Sequence, residues 1–100
     1  MNGSYYILVD REPVAMSDFK EWTARFKPSD RFVGQTKTDS GLVSTIFLGL
    51  DHRTTEDKPV LFESMVFGGP LDGQLVRYQT WRDAELGHKA LVIKLRGLNA

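Results

Sequence analysis

Two histidines and a few carboxylates are the residues of this chain best suited to chemistry. His52 follows Asp51 directly, Glu63 comes next, and His88 stands further downstream. Imidazole and carboxylate groups hold first-row metals, and they are also the commonest general acids and bases. Asp51, His52, Glu63 and His88 therefore form the candidate ligand- or metal-binding cluster, on condition that the fold brings them together. Their spacing matches no compact motif; there is no H-E-x-x-H. No metal is specified by it, and no resident cofactor is expected. The structural alternative makes His88 a half-buried helix residue beside Ala84 and Leu91, and His52 a loop residue bonded to backbone.

Glu63 has two readings. By strand alternation it shares a face with Leu61, Met65 and Phe67, while Phe62, Ser64 and Val66 share the other. If the first face is the core, Glu63 is a buried charge that needs a partner. Arg77, in the following segment, is the candidate. An ion pair is then the structural reading, and a general base of raised pKa or a ligand-binding carboxylate is the functional one. Gly68-Gly69-Pro70-Leu71-Asp72-Gly73 looks like a phosphate loop only in its glycines. A P-loop continues with Lys and Ser or Thr into a helix, whereas here Gln74-Leu75 lead into a strand, so a turn is expected. Ser44, His52 and Asp51 make a poor triad, because adjacent residues do not adopt the base and orienter geometry. Trp22, Trp81, Tyr5, Tyr6 and Tyr78 are read as packing residues rather than as base-stacking platforms.

The elements that would position these groups are legible as an α+β pattern. Residues 5–9 form an apolar β run, Asp10-Arg11-Glu12 a turn, and 13–16 a short edge strand suited to Pro13. Phe19, Trp22 and Phe26 recur at helical spacing, so a helix is expected over 18–27, capped by Ser17 and stopped by Pro28. Strands are expected at 31–38 and 42–50 around Asp39-Ser40-Gly41. A charged surface loop at 51–58 precedes strands at 60–67 and 74–79. Thr80 caps a final helix, with Asp83 at the capping-box position. On its wheel Ala84, His88, Leu91, Val92 and Leu95 share one side, and Gly97 is a stop. The order is ββαββββα: an antiparallel sheet of four to six strands with two helices packed on one face, in a single domain over 1–100.

Leu86, Ala90 and Ile93 fall on the opposite side of that last helix. Either the chain turns into a strand near Ala90, or the three are scattered surface residues, or they form an interface, most simply a homodimer contact.

Composition narrows the function classes. The chain has 100 residues, 13 basic and 13 acidic, with no cysteine. Charge balance without a basic cluster argues against nucleic-acid binding. Lack of cysteine removes disulfides and thiol catalysis and fits a reducing compartment. Neither a signal peptide nor an apolar run long enough for a membrane span is seen. A cytoplasmic protein without a membrane partner is expected.

Three segments carry a resemblance. Val43-Ser44-Thr45-Ile46-Phe47-Leu48-Gly49-Leu50-Asp51-His52 resembles the most recognisable stretch of an uncharacterised family of small proteins from phages, prophages and bacteria. Leu61-Phe62-Glu63-Ser64-Met65-Val66-Phe67-Gly68-Gly69 resembles a second stretch. Arg77-Tyr78-Gln79-Thr80-Trp81, with Ala84 and Gly87-His88, resembles a third. The resemblance runs over about residues 5–92. It departs at 53–58, which is charged rather than glycine-rich, and at Ser64, where threonine is usual. It implies a genomic setting and not an activity. Phage accessory genes often encode small binders of host proteins, including inhibitors of host defence. The leading expectation is thus a non-catalytic interaction module that binds a host protein. The alternative is a small metal- or ligand-binding protein, or a hydrolase, using Asp51, His52, Glu63 and His88.

Overall fold

A computed structural model describes residues 5–98. Six strands and two α-helices follow in the order expected: β1 (Tyr5–Val9), β2 (Glu12–Met16), α1 (Phe19–Arg25), β3 (Phe32–Thr38), β4 (Gly41–Phe47), β5 (Phe62–Phe67), β6 (Leu75–Tyr78) and α2 (Trp81–Gly97). The strands divide into two antiparallel sheets. β1 and β2 form a hairpin, and the other four form a meander in the order β3-β4-β5-β6. No helix among the described residues is long and apolar enough to cross a membrane.

The hairpin turns through Asp10 and Arg11, both at positive φ, 51° and 68°. That backbone matches the twist of a two-residue hairpin but strains residues with a Cβ. Arg11 offsets part of the strain, because its guanidinium lies 5.1 Å from the centre of the Trp81 ring in a cation–π contact. The tip of the hairpin is thereby tied to the start of α2. Its other end meets the segment that follows β4, where Tyr6 N–H donates to the Gly49 carbonyl at 2.9 Å.

Helix α1 is shorter than the 18–27 expected, and its N-cap is Asp18 rather than Ser17: the Asp18 carboxylate accepts the Lys20 N–H at 2.9 Å. Adjacent residues of good capping type made the boundary ambiguous by one position. Pro28 then opens a 3-10 turn, Pro28–Arg31. Phe19, Trp22 and Phe26 do form one stripe. Trp22 stacks on Phe26 at 5.1 Å, Phe26 meets Phe47, Phe47 meets Phe62, and Phe62 meets Trp81 edge-on. This row of rings joins α1 to α2 across one face of the main sheet.

Helix α2 carries the buried residues expected, Ala84, His88, Leu91, Val92 and Leu95. Thr80 accepts the Asp83 N–H at 3.0 Å, while Lys94 and Arg96 occupy the last turn, where cations suit the helix dipole. The chain stays helical through residues 90–96, so the strand reading of that segment is corrected. Leu91-Val92-Ile93 is β-prone, but the burial of Leu91, Val92 and Leu95 against the sheet decides.

That contrast within one helix is testable. Leu95 is fully buried, whereas Leu86 is 53% exposed. In urea denaturation, Leu95→Ala is expected to cost about 2–5 kcal/mol, and Leu86→Ala no more than about 0.5 kcal/mol.

Candidate functional site

The sheet face beneath α2 is not uniformly apolar. Val43, Val66, Leu91, Val92 and Leu95 make one buried cluster, and Phe47, Leu61, Phe62 and Ala84 make a second. Strand register sets the paired residues Thr45 and Ser64 between the pairs Val43–Val66 and Phe47–Phe62. His88 comes down onto this row from α2. A polar band therefore divides the core.

Every polar group in the band is bonded. Tyr78 Oη donates to Ser64 Oγ at 3.1 Å. Ser64 Oγ and Thr45 Oγ1 are 2.5 Å apart, Thr45 Oγ1 is 2.7 Å from His88 Nδ1, and His88 Nε2 is 2.9 Å from Thr36 Oγ1. Each hydroxyl has one hydrogen to give. With Tyr78 donating to Ser64, the assignment that spends every inner hydrogen inside the band runs Ser64 to Thr45, Thr45 to Nδ1, and Nε2–H to Thr36. This assignment makes His88 the Nε2–H tautomer, uses each inner hydrogen once, and lets successive bonds reinforce one another. Thr36 ends the chain with its own hydroxyl hydrogen unspent.

Space in the band is tight. A Cβ on Gly34 would lie 3.2 Å from the His88 ring, and one on Gly87 would overlap the Tyr78 ring. Glycine at 87 thus lets α2 approach the tyrosine closely enough for it to reach Ser64.

Burial pushes the His88 pKa below the ordinary histidine value of 6.5. The neutral ring is the form that fits: it donates at one nitrogen and accepts at the other.

The other candidates lie elsewhere. Asp51 organises the 51–60 loop. Its carboxylate accepts the N–H groups of Arg53 and Val60 at 2.9 and 3.0 Å and pairs with Arg53 Nε at 2.7 Å. Burial alone would raise its pKa, but these bonds and the Arg53 charge prevail and hold it below the ordinary value. His52 Nδ1 bonds to the Leu50 carbonyl at 2.9 Å, which is the backbone-bonded arrangement. Its ring lines an open groove of about 360 Å³ with Thr54, Glu56, Arg77 and Asp83.

Glu63 is not in the core. The core face of β5 is Phe62, Ser64 and Val66, so Glu63 lies on the outer face, where its carboxylate meets Arg77 Nε at 3.2 Å. The partner is the one expected, and the register pairs the two residues directly. His88 borders a different groove from His52. Among the described residues no group of three or more His, Asp or Glu side chains is placed to hold a metal.

The glycine-rich segment 68–73 is a turn that consumes its own donors. Gly68 N–H goes to the Asp72 carboxylate at 2.6 Å and Gly73 N–H to the Val66 carbonyl at 2.8 Å. Sequence reasoning missed Thr36, Thr45, Ser64 and Tyr78 as one constellation. The available signal was a hydroxyl at matched core positions of two neighbouring strands, opposite a histidine on a core-facing helix stripe.

Two outcomes follow. Thr45→Val keeps the shape but leaves Nδ1 and Ser64 without their partner, at a cost of about 1–3 kcal/mol in denaturant unfolding. For pH, the unfolded chain binds a proton at His88 more readily than the folded one. Stability is therefore fully present above about 6.5 and is lost as pH falls from there toward the depressed folded value. Unfolding measured between pH 7.5 and 5 should show this loss, and His88→Gln should remove it.

Searched against family models, curated proteins and solved structures, the chain matches none.

Proposed function

We propose that this protein is a non-catalytic interaction module that binds another protein in the cytoplasm. The observation that carries the reading is the outer face of the four-stranded sheet, which no described helix or strand covers. Register aligns Phe32 with Ile46, Met65 with Leu75, and Leu42 with Phe67, all on the side away from the buried clusters. Phe32, Phe67 and Leu75 are 48%, 49% and 39% exposed. Only Gln35, Lys37, Ser44 and the Glu63–Arg77 pair interrupt them. A water-facing side of an antiparallel sheet ordinarily alternates to polar residues, and a contiguous apolar patch on such a face marks an interaction surface. The polar chemistry of the core, by contrast, is spent on itself.

The family resemblance supports a host protein as the partner, in the manner of phage accessory proteins that act on defence. Self-association is a second reading, favoured by α2. Leu86 and Ile93 are 53% and 71% exposed, and with Ala90 they form a stripe opposite the buried residues of the helix, with Ile93 at its border toward β3.

The test is affinity purification from bacterial cells with wild type, Phe67→Glu and Ile93→Glu, followed by native mass spectrometry of the eluates. A stoichiometric protein partner retained by wild type and lost with Phe67→Glu is the expected result. A dimer of the chain that Ile93→Glu dissociates would instead establish the self-association reading. A bare wild-type monomer would refute both.

A further inference from the structure

Beyond that outer face, a second surface lies at the edge of the sheet. Sheet order leaves β3 with a neighbour on one side only, so one row of its backbone N–H and C=O groups faces away from β4. Helix α2 runs beside this edge. Between the two is an open groove of about 440 Å³ lined by Thr36, His88, Lys89, Val92, Ile93 and Arg96. An edge strand with a helix alongside is the geometry in which an extended peptide adds to a sheet and sends alternate side chains into the groove.

The lining specifies the occupant by charge. It holds two full cations and no carboxylate, although acidic and basic residues balance in the chain. Three ion pairs occur among the described residues, and neither Lys89 nor Arg96 belongs to one. The two are seven positions apart on α2, about 10.5 Å along its axis, with Val92 and Ile93 between them. A strand places alternate residues i, i+2 and i+4 on one side at steps of about 6.8 Å. An acidic residue, an apolar residue and an acidic residue at those positions meet Lys89, the Val92–Ile93 wall and Arg96 in turn. Long basic side chains absorb the difference in spacing. At the floor, Thr36, which accepts from Nε2–H in the assigned tautomer of His88, has a hydroxyl hydrogen to give a carboxylate. A second copy of β3 does not fit, because the residues it would turn to the groove side of the sheet, Gly34, Thr36 and Thr38, include no carboxylate.

We infer that the groove between α2 and β3 binds an extended acidic segment of a partner protein, of the pattern acidic–x–apolar–x–acidic, as a fifth strand on β3. The inference is independent of the outer-face reading, which concerns another side of the sheet.

A fluorescein-labelled decapeptide with a central Glu-Thr-Val-Thr-Glu, titrated with the full chain at low salt, tests it. Saturable binding is expected, weakening with salt, with amide shifts confined to residues 34–38 and 88–96. Lys89→Glu and Arg96→Glu should each weaken it by about threefold to tenfold, with unchanged circular dichroism. Phe67→Glu should leave it intact, which separates this surface from the outer face. Four results would overturn the inference: no saturable binding, equal binding of a Lys-Thr-Val-Thr-Lys peptide, indifference to both charge reversals, or shifts centred on Phe67 and Leu75.

Discussion

An imidazole cannot be enclosed between a helix and a sheet unless both of its nitrogens are bonded, and that requirement governs the middle of this molecule. His88 is 8% exposed. Each nitrogen left unpaired there would forfeit its hydration at a cost of about 1–3 kcal/mol. The solution is spread over four elements: Thr36 on β3, Thr45 on β4, Ser64 on β5 and Tyr78 on β6. Because the bonds are directional, they fix more than apolar contact does. Val43 would pack acceptably against α2 in several rotations or shifts of the helix. His88 bonds to Thr36 and Thr45 together in only one. The glycines at 34 and 87 answer the same requirement, by giving the ring and the tyrosine room to close on their partners.

The same band explains which face of the sheet became the core. In β5 the two candidate faces are nearly equal in apolar content: Phe62 and Val66 on one, Met65 and Phe67 on the other. Alternation alone cannot choose between them. Ser64 can be buried because Thr45 stands directly across from it and Tyr78 reaches it. Glu63 would bring a full charge into a dry interior, and facing outward beside Arg77 it meets its partner with 14% of its side chain still exposed. A hydroxyl with a partner is cheaper to bury than a carboxylate with one.

Much of the architecture was legible in the residues. Helical periodicity identified the sheet-facing side of α2 residue by residue, since five positions at regular spacing leave little choice of phase. Turn chemistry located the hairpins, and Arg77 on the next strand was the candidate partner of Glu63, but the register that pairs them was not fixed by the sequence. The division of six strands into two sheets was not legible, because it depends on Tyr5 and Tyr6 meeting Leu50 and Gly49, beyond the end of β4, rather than a strand of the main sheet. Nor was the polar band. Its members are separated by up to 52 positions, and each alone is an ordinary strand or helix residue. The grouping of Asp51, His52, Glu63 and His88 treated residue type as proximity. Chain geometry sends Asp51 into its own loop, Glu63 to the outer face and His88 to the inner one.

The fold that results is one-sided. Both helices and the hairpin are gathered at the face that holds the polar band, linked by the row of rings from Phe19 to Trp81. On the opposite face the side chains are joined by the Glu63–Arg77 pair and the Gln35–Ser44 bond, over the backbone ladder. Rigidity and exposure are thus assigned to opposite sides of the same four strands. A directional network fixes the strands from within, so the outer residues need no covering layer to hold their positions. Strands fixed in this way lose little backbone entropy if the outer face is covered as proposed. That is the physical basis on which a domain this small can present a specific surface.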